Sequence, residues 1–253
     1  MEYLQRVSGF ITDNPLGRFL VLFTIAGIAV IVFRSFFRVR KIQPNGFKWK
    51  SVRNEFFFAV LNLSVTVFVL GFLSSQLTKH GFIAFHTGPV AWWRVGLEYA
   101  LYFFAFDTYF YWLHRAMHVE PVYTYVHKIH HYSTSPNLLT TLSVGPLESI
   151  INGGFVVLFT SVLTVHESTM ALIAPTNIIM GFYVHSGYEF LPRWWNKSWL
   201  TRWFITATFH DQHHKYFRWN FGGYTTIWDF LCNTARPKYL EEFDQIKARL
   251  DRA

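Results

Sequence analysis

The requirement that constrains this chain most is that histidines far apart in sequence must meet. Segment 114–131 holds five of the twelve histidines, reading HRAMH and then HKIHH. A third box, HDQHH, follows at 210–214, and His185 stands alone between them. His114/His118, His127/His131 and His210/His214 are each four residues apart, so on a helix both imidazoles of a pair lie on one face. His130 and His213 each add a ring one residue before the end of their box. Helix neighbours point about 100° apart, so the two rings of an HH pair can reach different metals. Nine imidazoles are too many for one ion, since a catalytic zinc takes about three protein ligands. Two ions with four or five imidazoles each would use them. Imidazole suits zinc, copper, iron and nickel alike. Soluble di-iron proteins rely largely on Glu ligands. This chain offers almost only neutral rings, which would leave a cationic metal pair able to bind and reduce dioxygen.

Composition says where such a site has to sit. The 253 residues are 51% hydrophobic and only 15% charged, against about 25% charged in soluble domains, which points to an integral membrane protein. The net charge of +8 does not form the single stripe a nucleic-acid binder shows. Its basic residues bracket apolar segments instead, as topology-setting charges do. Cys232 is the only cysteine, so neither an internal disulfide nor a cysteine-based zinc or iron–sulfur site is expected. No cleavable signal peptide is apparent at the N-terminus.

Taken in order, residues 1–15 read as an interfacial segment and 16–37 as a first span. Arg34, Arg38, Arg40, Lys41, Lys48, Lys50 and Arg53 follow in one short loop, which the positive-inside rule makes cytoplasmic. Segment 56–78 is free of charge and reads as a second span. A third, 95–113, delivers His114 to the cytoplasmic surface. Asp107 lies inside that span, where a carboxylate is costly and usually functional. It shares a helical face with Tyr111, His114 and His118, so it is expected to fix the tautomer of a metal-binding imidazole. A structural hydrogen bond to a neighbouring helix is the plainer alternative. Stretches 150–165 and 169–184 read as a hairpin that dips through the bilayer, with Pro175 kinking its second arm. His185 follows that arm. It is expected to join the metal site, the plain alternative being an interfacial core histidine. His80, His86 and His166 then fall on the outer side, and His80 and His86 read as ordinary surface residues. Trp194, Trp195, Trp199 and Trp203 suggest a helix in the headgroup region, and the tail from Lys238 a charged, solvated helix without chemistry.

The boxes, together with Asp107, HHYSTSPN at 130–137, PLE at 146–148, HSG at 185–187 and NFGGYTTIWDFLCNT at 220–234, resemble the fatty acid hydroxylase/sterol desaturase superfamily of membrane di-iron oxygenases. The resemblance covers roughly residues 95–236. It implies two iron ions held by His114, His118, His127, His130, His131, His185, His210, His213 and His214, with dioxygen as co-substrate. It also implies oxidation of an unactivated C–H bond of a membrane lipid to an alcohol or a double bond. Glu148 would support a ligand, a plain interhelical contact being the alternative. Many members have a histidine before the Pro-x-Glu motif, where this chain has Gly145, so a tenth ligand or hydrogen-bonding group is missing. No fused haem domain of the cytochrome b5 type is expected, so a separate reductase, ferredoxin or cytochrome would supply electrons, with Lys215 and Arg218 docking an acidic donor.

The expectation is therefore an all-α, integral membrane helical bundle with a histidine-rich two-metal cap on its cytosolic side. Residues 1–94 would carry the N-terminal spans and basic loop, 95–236 the oxygenase domain and 237–253 the charged tail. Hydroxylation of an acyl chain, sterol or related lipid is the first reading and desaturation the second. Outside that class, a metal transporter or sensor would need polar residues in several spans. A bis-histidine haem protein would need histidines on facing spans, and a zinc hydrolase would show HExxH or a like motif. The chain ends ARLDRA without a dilysine retrieval signal, which favours a bacterial inner membrane over the endoplasmic reticulum.

Overall fold

The computed structural model describes residues 20–21, 23–25, 27–28, 34–43 and 49–250. The expected interfacial segment 1–15 and most of the expected first span lie outside them. The fold is almost wholly helical. In chain order the helices are α1 (Arg34–Arg40), α2 (Trp49–Val65), α3 (Gly71–Lys79), α4 (Trp92–Met117), α5 (Pro146–Val162), α6 (Glu167–Val184), α7 (Ala207–Tyr216), α8 (Ile227–Leu231) and α9 (Tyr239–Leu250). Two strands of two residues each, β1 (Phe85–His86) and β2 (Val165–His166), pair in parallel.

A π-helical stretch, Thr66–Leu70, joins α2 to α3 without a break, and Ser51–Lys79 is one helix of 29 residues. Among the described residues it is the one helix long and apolar enough to cross a membrane. Its large side chains face outwards: Phe68 is 74% exposed and Phe72 65%. Such a surface suits a hydrocarbon surround rather than water. The expected third span lies within α4, whose 26 residues extend about 39 Å. Arms α5 and α6 are 17 and 18 residues long. Pro146 opens α5 at a position where its missing N–H costs nothing, and Pro175 lies inside α6 without ending it.

Aromatic packing holds α4, α5 and α6 together. Tyr102 is fully buried, stacks on Phe106 and meets Phe159 edge-on, with Phe155 and Ile173 completing the cluster. At the N-terminal end of α4, Glu98 accepts from the backbone N–H of His166 (2.8 Å) and the Thr169 hydroxyl (2.7 Å). His166 itself is buried, whereas His80 and His86 are exposed. From Glu98 to His114, α4 rises about 24 Å, so this clip sits at the opposite end of α4 from the first box.

Three expectations need correction. The aromatic segment after Pro192 is not one helix but two single 3-10 turns, Trp195–Lys197 and Thr201–Trp203, pinned by Thr201 donating to the Trp195 carbonyl. The tail helix α9 is not simply solvated. Tyr239, Phe243 and Ile246, spaced four and three apart, form a buried stripe that packs with Ile205, Phe209 and Ala207. Lys247 is buried too and donates to the Glu189 carbonyl. The basic segment, finally, is not one loop: Arg34–Arg40 is the helix α1 and Arg53 lies on α2, while Ile42 N–H donates to the Gly187 carbonyl and Glu189 N–H to the Arg40 carbonyl, at 2.9 Å each.

Buried carboxylates tie the irregular segments to the helices. Glu55 on α2 is 2% exposed and accepts from Ser51, Ser133 and Asn137, which pins the chain leaving the second histidine box. Glu189 accepts from the N–H and hydroxyl of Thr208 and so holds the start of α7. Glu55→Ala strands buried donors on Ser133 and Asn137. A stability loss of about 2–3 kcal/mol is expected, read as a lower thermal midpoint of the detergent-solubilised protein, with Glu55→Gln losing less.

Candidate metal centre

Four pieces of chain carry the nine histidines to one place. His114 lies in the last turn of α4 and His118 caps it. The second box is not on a regular helix: His127 ends a π turn (Tyr123–His127), and His130 and His131 open a 3-10 turn. His185 is the C-cap of α6. The third box rides on α7, capped by Thr206, whose hydroxyl accepts from Phe209 N–H. Residues 207–214 of α7 are all buried although most are polar. A helix of that composition is stable inside only if its side chains have partners there.

Their ring nitrogens gather into two groups, each with ligand atoms within 4.8 Å of one another: His114, His118, His127, His131 and His213 in one, His130, His185, His210 and His214 in the other. Each pair four apart stays within a group, and each HH pair divides between the two. All nine candidate histidines are thus brought together.

The hydrogen bonds on the far side of the rings decide what these groups can do. The Nδ1 atoms of His114, His130, His185, His213 and His214 face the main-chain carbonyls of Phe221, Ser143, Gly181, Trp219 and Ser133, at 2.8–3.3 Å. A carbonyl only accepts, so each of these Nδ1 atoms carries the proton and its Nε2 holds a lone pair. His127 Nδ1 faces Glu148 Oε1 at 2.9 Å. Burial keeps the rings uncharged, holding His118, His127 and His185 down to about 3 and His130 to about 4, and His114, His131, His210, His213 and His214 well below the usual value.

Neutral rings with their protons turned away leave Nε2 lone pairs facing one another. His114 and His127 do so at 3.1 Å in the first group, His130 and His185 at 3.2 Å in the second. Neither contact can be a hydrogen bond when both far nitrogens carry the proton, and each is repulsive unless a cation lies between. A metal with Zn-like bonds of about 2.1 Å to ligands at right angles sets neighbouring nitrogens about 3.0 Å apart. His214 Nε2 is buried with no partner at all. The donor set therefore fits two divalent cations, one per group.

Burial pushes Glu148 up to about 8, with His130 opposing the shift; a cation on His127 would favour the ionised, proton-accepting form. Asp107 does something other than expected. Its carboxylate accepts from the N–H groups of Tyr224 (2.9 Å) and Thr225 (2.8 Å) and from the Thr225 hydroxyl; none of these partners is an imidazole. Its place on the face of Tyr111 and His114 sets it against the 220–226 loop, whose bare N–H groups are the nearer demand. Asp229, which sequence reasoning left out, holds the same loop by accepting from Phe221 N–H (2.9 Å) and Gly222 N–H (2.7 Å). The Phe221 carbonyl faces His114, so Asp229 holds the residue next to that ring, while Asp107 holds the same loop three residues further on. Gly145 is tightly packed: a Cβ there would lie 3.2 Å from Ile129 Cδ1 and 3.3 Å from the Val126 carbonyl, so any larger residue would require both neighbours to give by a few tenths of an ångström.

A cavity of about 220 Å3 reaches both groups, touching His114 and His127 of one and His130, His185 and His210 of the other. Phe106, Phe110, Met180 and Val184 make its walls largely apolar. A second cavity, about 230 Å3 and lined by polar residues, reaches Ser186 and Asp211, the neighbours of His185 and His210.

The sequence that carries these histidine groups has relatives. The family model described as fatty acid hydroxylase matches residues 99–234, more than half of the chain, and the chain belongs to that family. It is similar to methylsterol monooxygenase 1 of Danio rerio, 37% identical over 128 residues that cover 51% of this chain and 43% of the relative. A methylsterol monooxygenase of Aspergillus fumigatus is 34% identical over 155 residues, covering 56% and 48%. A very-long-chain aldehyde decarbonylase of Oryza sativa is 30% identical over 169 residues, covering 64% and 62%. The chain spans about half the length of the curated methylsterol relatives it matches. No solved structure matches it.

Glu148→Gln keeps the side-chain volume and removes the charge that polarises His127. It is expected to weaken divalent-metal binding about 10–100-fold, measured as metal retained against a graded chelator series; unchanged retention would leave Glu148 a packing residue.

Proposed function

We propose that this protein is a membrane oxidoreductase that uses dioxygen to oxidise an unactivated C–H bond of a lipid at a histidine-held di-iron centre. The observation that carries the reading is the pair of neutral imidazole groups, their lone pairs converging beside one apolar cavity. Five and four imidazoles with no bound carboxylate suit a redox-active cation pair better than a hydrolytic zinc, which takes about three ligands and keeps one position open. Iron, when bound, would supply dioxygen reduction. The chain's own part is to hold the rings through five carbonyls and Glu148, and to keep bulk water away with Phe106 and Phe110.

The names of the relatives, monooxygenases of methylsterols and a decarbonylase of long-chain aldehydes, support a lipid substrate, and the monooxygenase names favour hydroxylation. Desaturation would use the same centre by removing a second hydrogen. The outward-facing phenylalanines of the Ser51–Lys79 helix support a place in the bilayer. Basic residues next to the docked segment 40–42 support, by the positive-inside rule, a cytoplasmic position for the histidines. An external electron-donor protein would dock near the exposed Lys215 and Arg218.

Iron-loaded protein in bilayers, given a chemical reductant and 18O2, is expected to release lipid product bearing one labelled oxygen, with His114→Ala and His210→Ala each abolishing it. Oxygen-independent turnover, or activity with zinc alone, would contradict the reading.

A further inference from the structure

Helices α4 and α6 both end at the histidine groups, and the residues each gives to the apolar cavity recur at helical spacing. On α4 these are Phe106, Phe110 and His114; on α6 they run from Asn177 through Met180 to His185. From first to last, each run rises eight residues, so the cavity is a slot extending about 12 Å from the rings along both helices. Its far end is closed. There the Tyr224 ring stacks on Phe103 and lies with its centroid 5.0 Å from that of Phe106. The Tyr224 hydroxyl donates to the Asn177 amide oxygen, and the Asn177 nitrogen donates to the Tyr102 hydroxyl at 2.7 Å. These two bonds strap the 220–226 loop to α6, and α6 to α4, across the slot. Beyond them Tyr102 packs with Phe155, Phe159 and Ile173, so the space past the strap is filled with core.

We propose that Tyr224 and Asn177 are the specificity-determining floor of this slot. The part of the lipid that reaches past the oxidised carbon is then uncharged hydrocarbon of at most about 12 Å, roughly nine methylenes in extended form. This rests on the lipid-oxidation reading above and narrows its substrate class to lipids that present such an end, with any charged headgroup left at the mouth. The polar atoms of the floor are committed to one another. A charged end would therefore lose its water there without gaining a partner. A longer end could advance only by breaking both hydrogen bonds of the strap and displacing the Tyr224 ring from Phe103 and Phe106.

The test measures binding and needs no turnover. Fatty acid methyl esters of graded chain length, shorter and longer than the slot, are equilibrated with metal-loaded protein in nanodiscs. The ester retained per protein is counted by gas chromatography against empty nanodiscs. Wild-type protein is expected to retain more ester with each added methylene up to a limiting length, and no more beyond it. Tyr224→Ala opens the floor towards Tyr102, one turn past Phe106, and is expected to move that limit by about 6 Å, roughly five carbons, to longer chains. Met180→Phe adds bulk three residues nearer the rings than Asn177 and is expected to move the limit to shorter chains. Dicarboxylates of the same lengths, which must carry one charge inside, are expected to bind at least about tenfold more weakly than the esters. Retention that climbs without a limit in wild-type protein, a limit that stays put in the variants that keep their metal, or equal binding of the dicarboxylates overturns the proposal. Iron content on the same samples separates the two readings. Two irons without a length limit removes the floor assignment alone, whereas protein that holds no iron removes the oxygenase reading beneath it.

Discussion

Lone pairs forced to face each other are the constraint on which the rest of this structure depends. Five carbonyls and one carboxylate hold the outer nitrogens of six rings, and burial keeps all nine rings from charging. The inner nitrogens then meet at about 3 Å with nothing to donate. Only a cation turns that arrangement from repulsive to favourable. The protein has therefore built the ligand geometry into its backbone, since the groups that orient the rings are mostly peptide carbonyls at the ends of helices and turns.

That backbone needs holding in turn, and buried carboxylates do it from a distance. Asp107 and Asp229 clamp the 220–226 loop, so the Phe221 carbonyl stays on His114. Glu55 clamps Ser133 and Asn137, so the Ser133 carbonyl stays on His214. Glu189 fixes the first turn of α7, the helix bearing the third box. Each of these carboxylates is buried and multiply hydrogen-bonded, the one condition under which a buried acid is tolerated. Loss of any one would be felt at the metal groups although none of them touches a ring.

Much of this could be read from the sequence because it rests on periodicity. A spacing of four puts His114 with His118 and His210 with His214, and the 100° step between helix neighbours separates His213 from His214; His130 and His131 divide in the same way although they lie in a 3-10 turn. The helices α4, α5 and α6 follow from apolar runs bounded by prolines, Trp92 and His166. What was not legible has no sequence signature. A main-chain carbonyl looks the same at every position, so the acceptors on Ser143, Gly181 and Trp219 could not be named. The partners of Asp107 are not legible either, because a shared helical face shows which residues are near, not which donor claims the carboxylate. Asp229 lies 115 residues after His114, with only the intervening Phe221 peptide to connect them. The buried stripe of α9 was visible as Tyr239, Phe243 and Ile246, but the charges around it pointed to solvent.

Each of the two groups offers the donors for a cation of its own. Metal content by mass spectrometry on detergent-purified protein tests it most directly, with His213→Ala removing a ring from the first group and His130→Ala one from the second. About two irons per chain, falling in each variant, is the predicted result. One zinc per chain, or metal content indifferent to both substitutions, would contradict it.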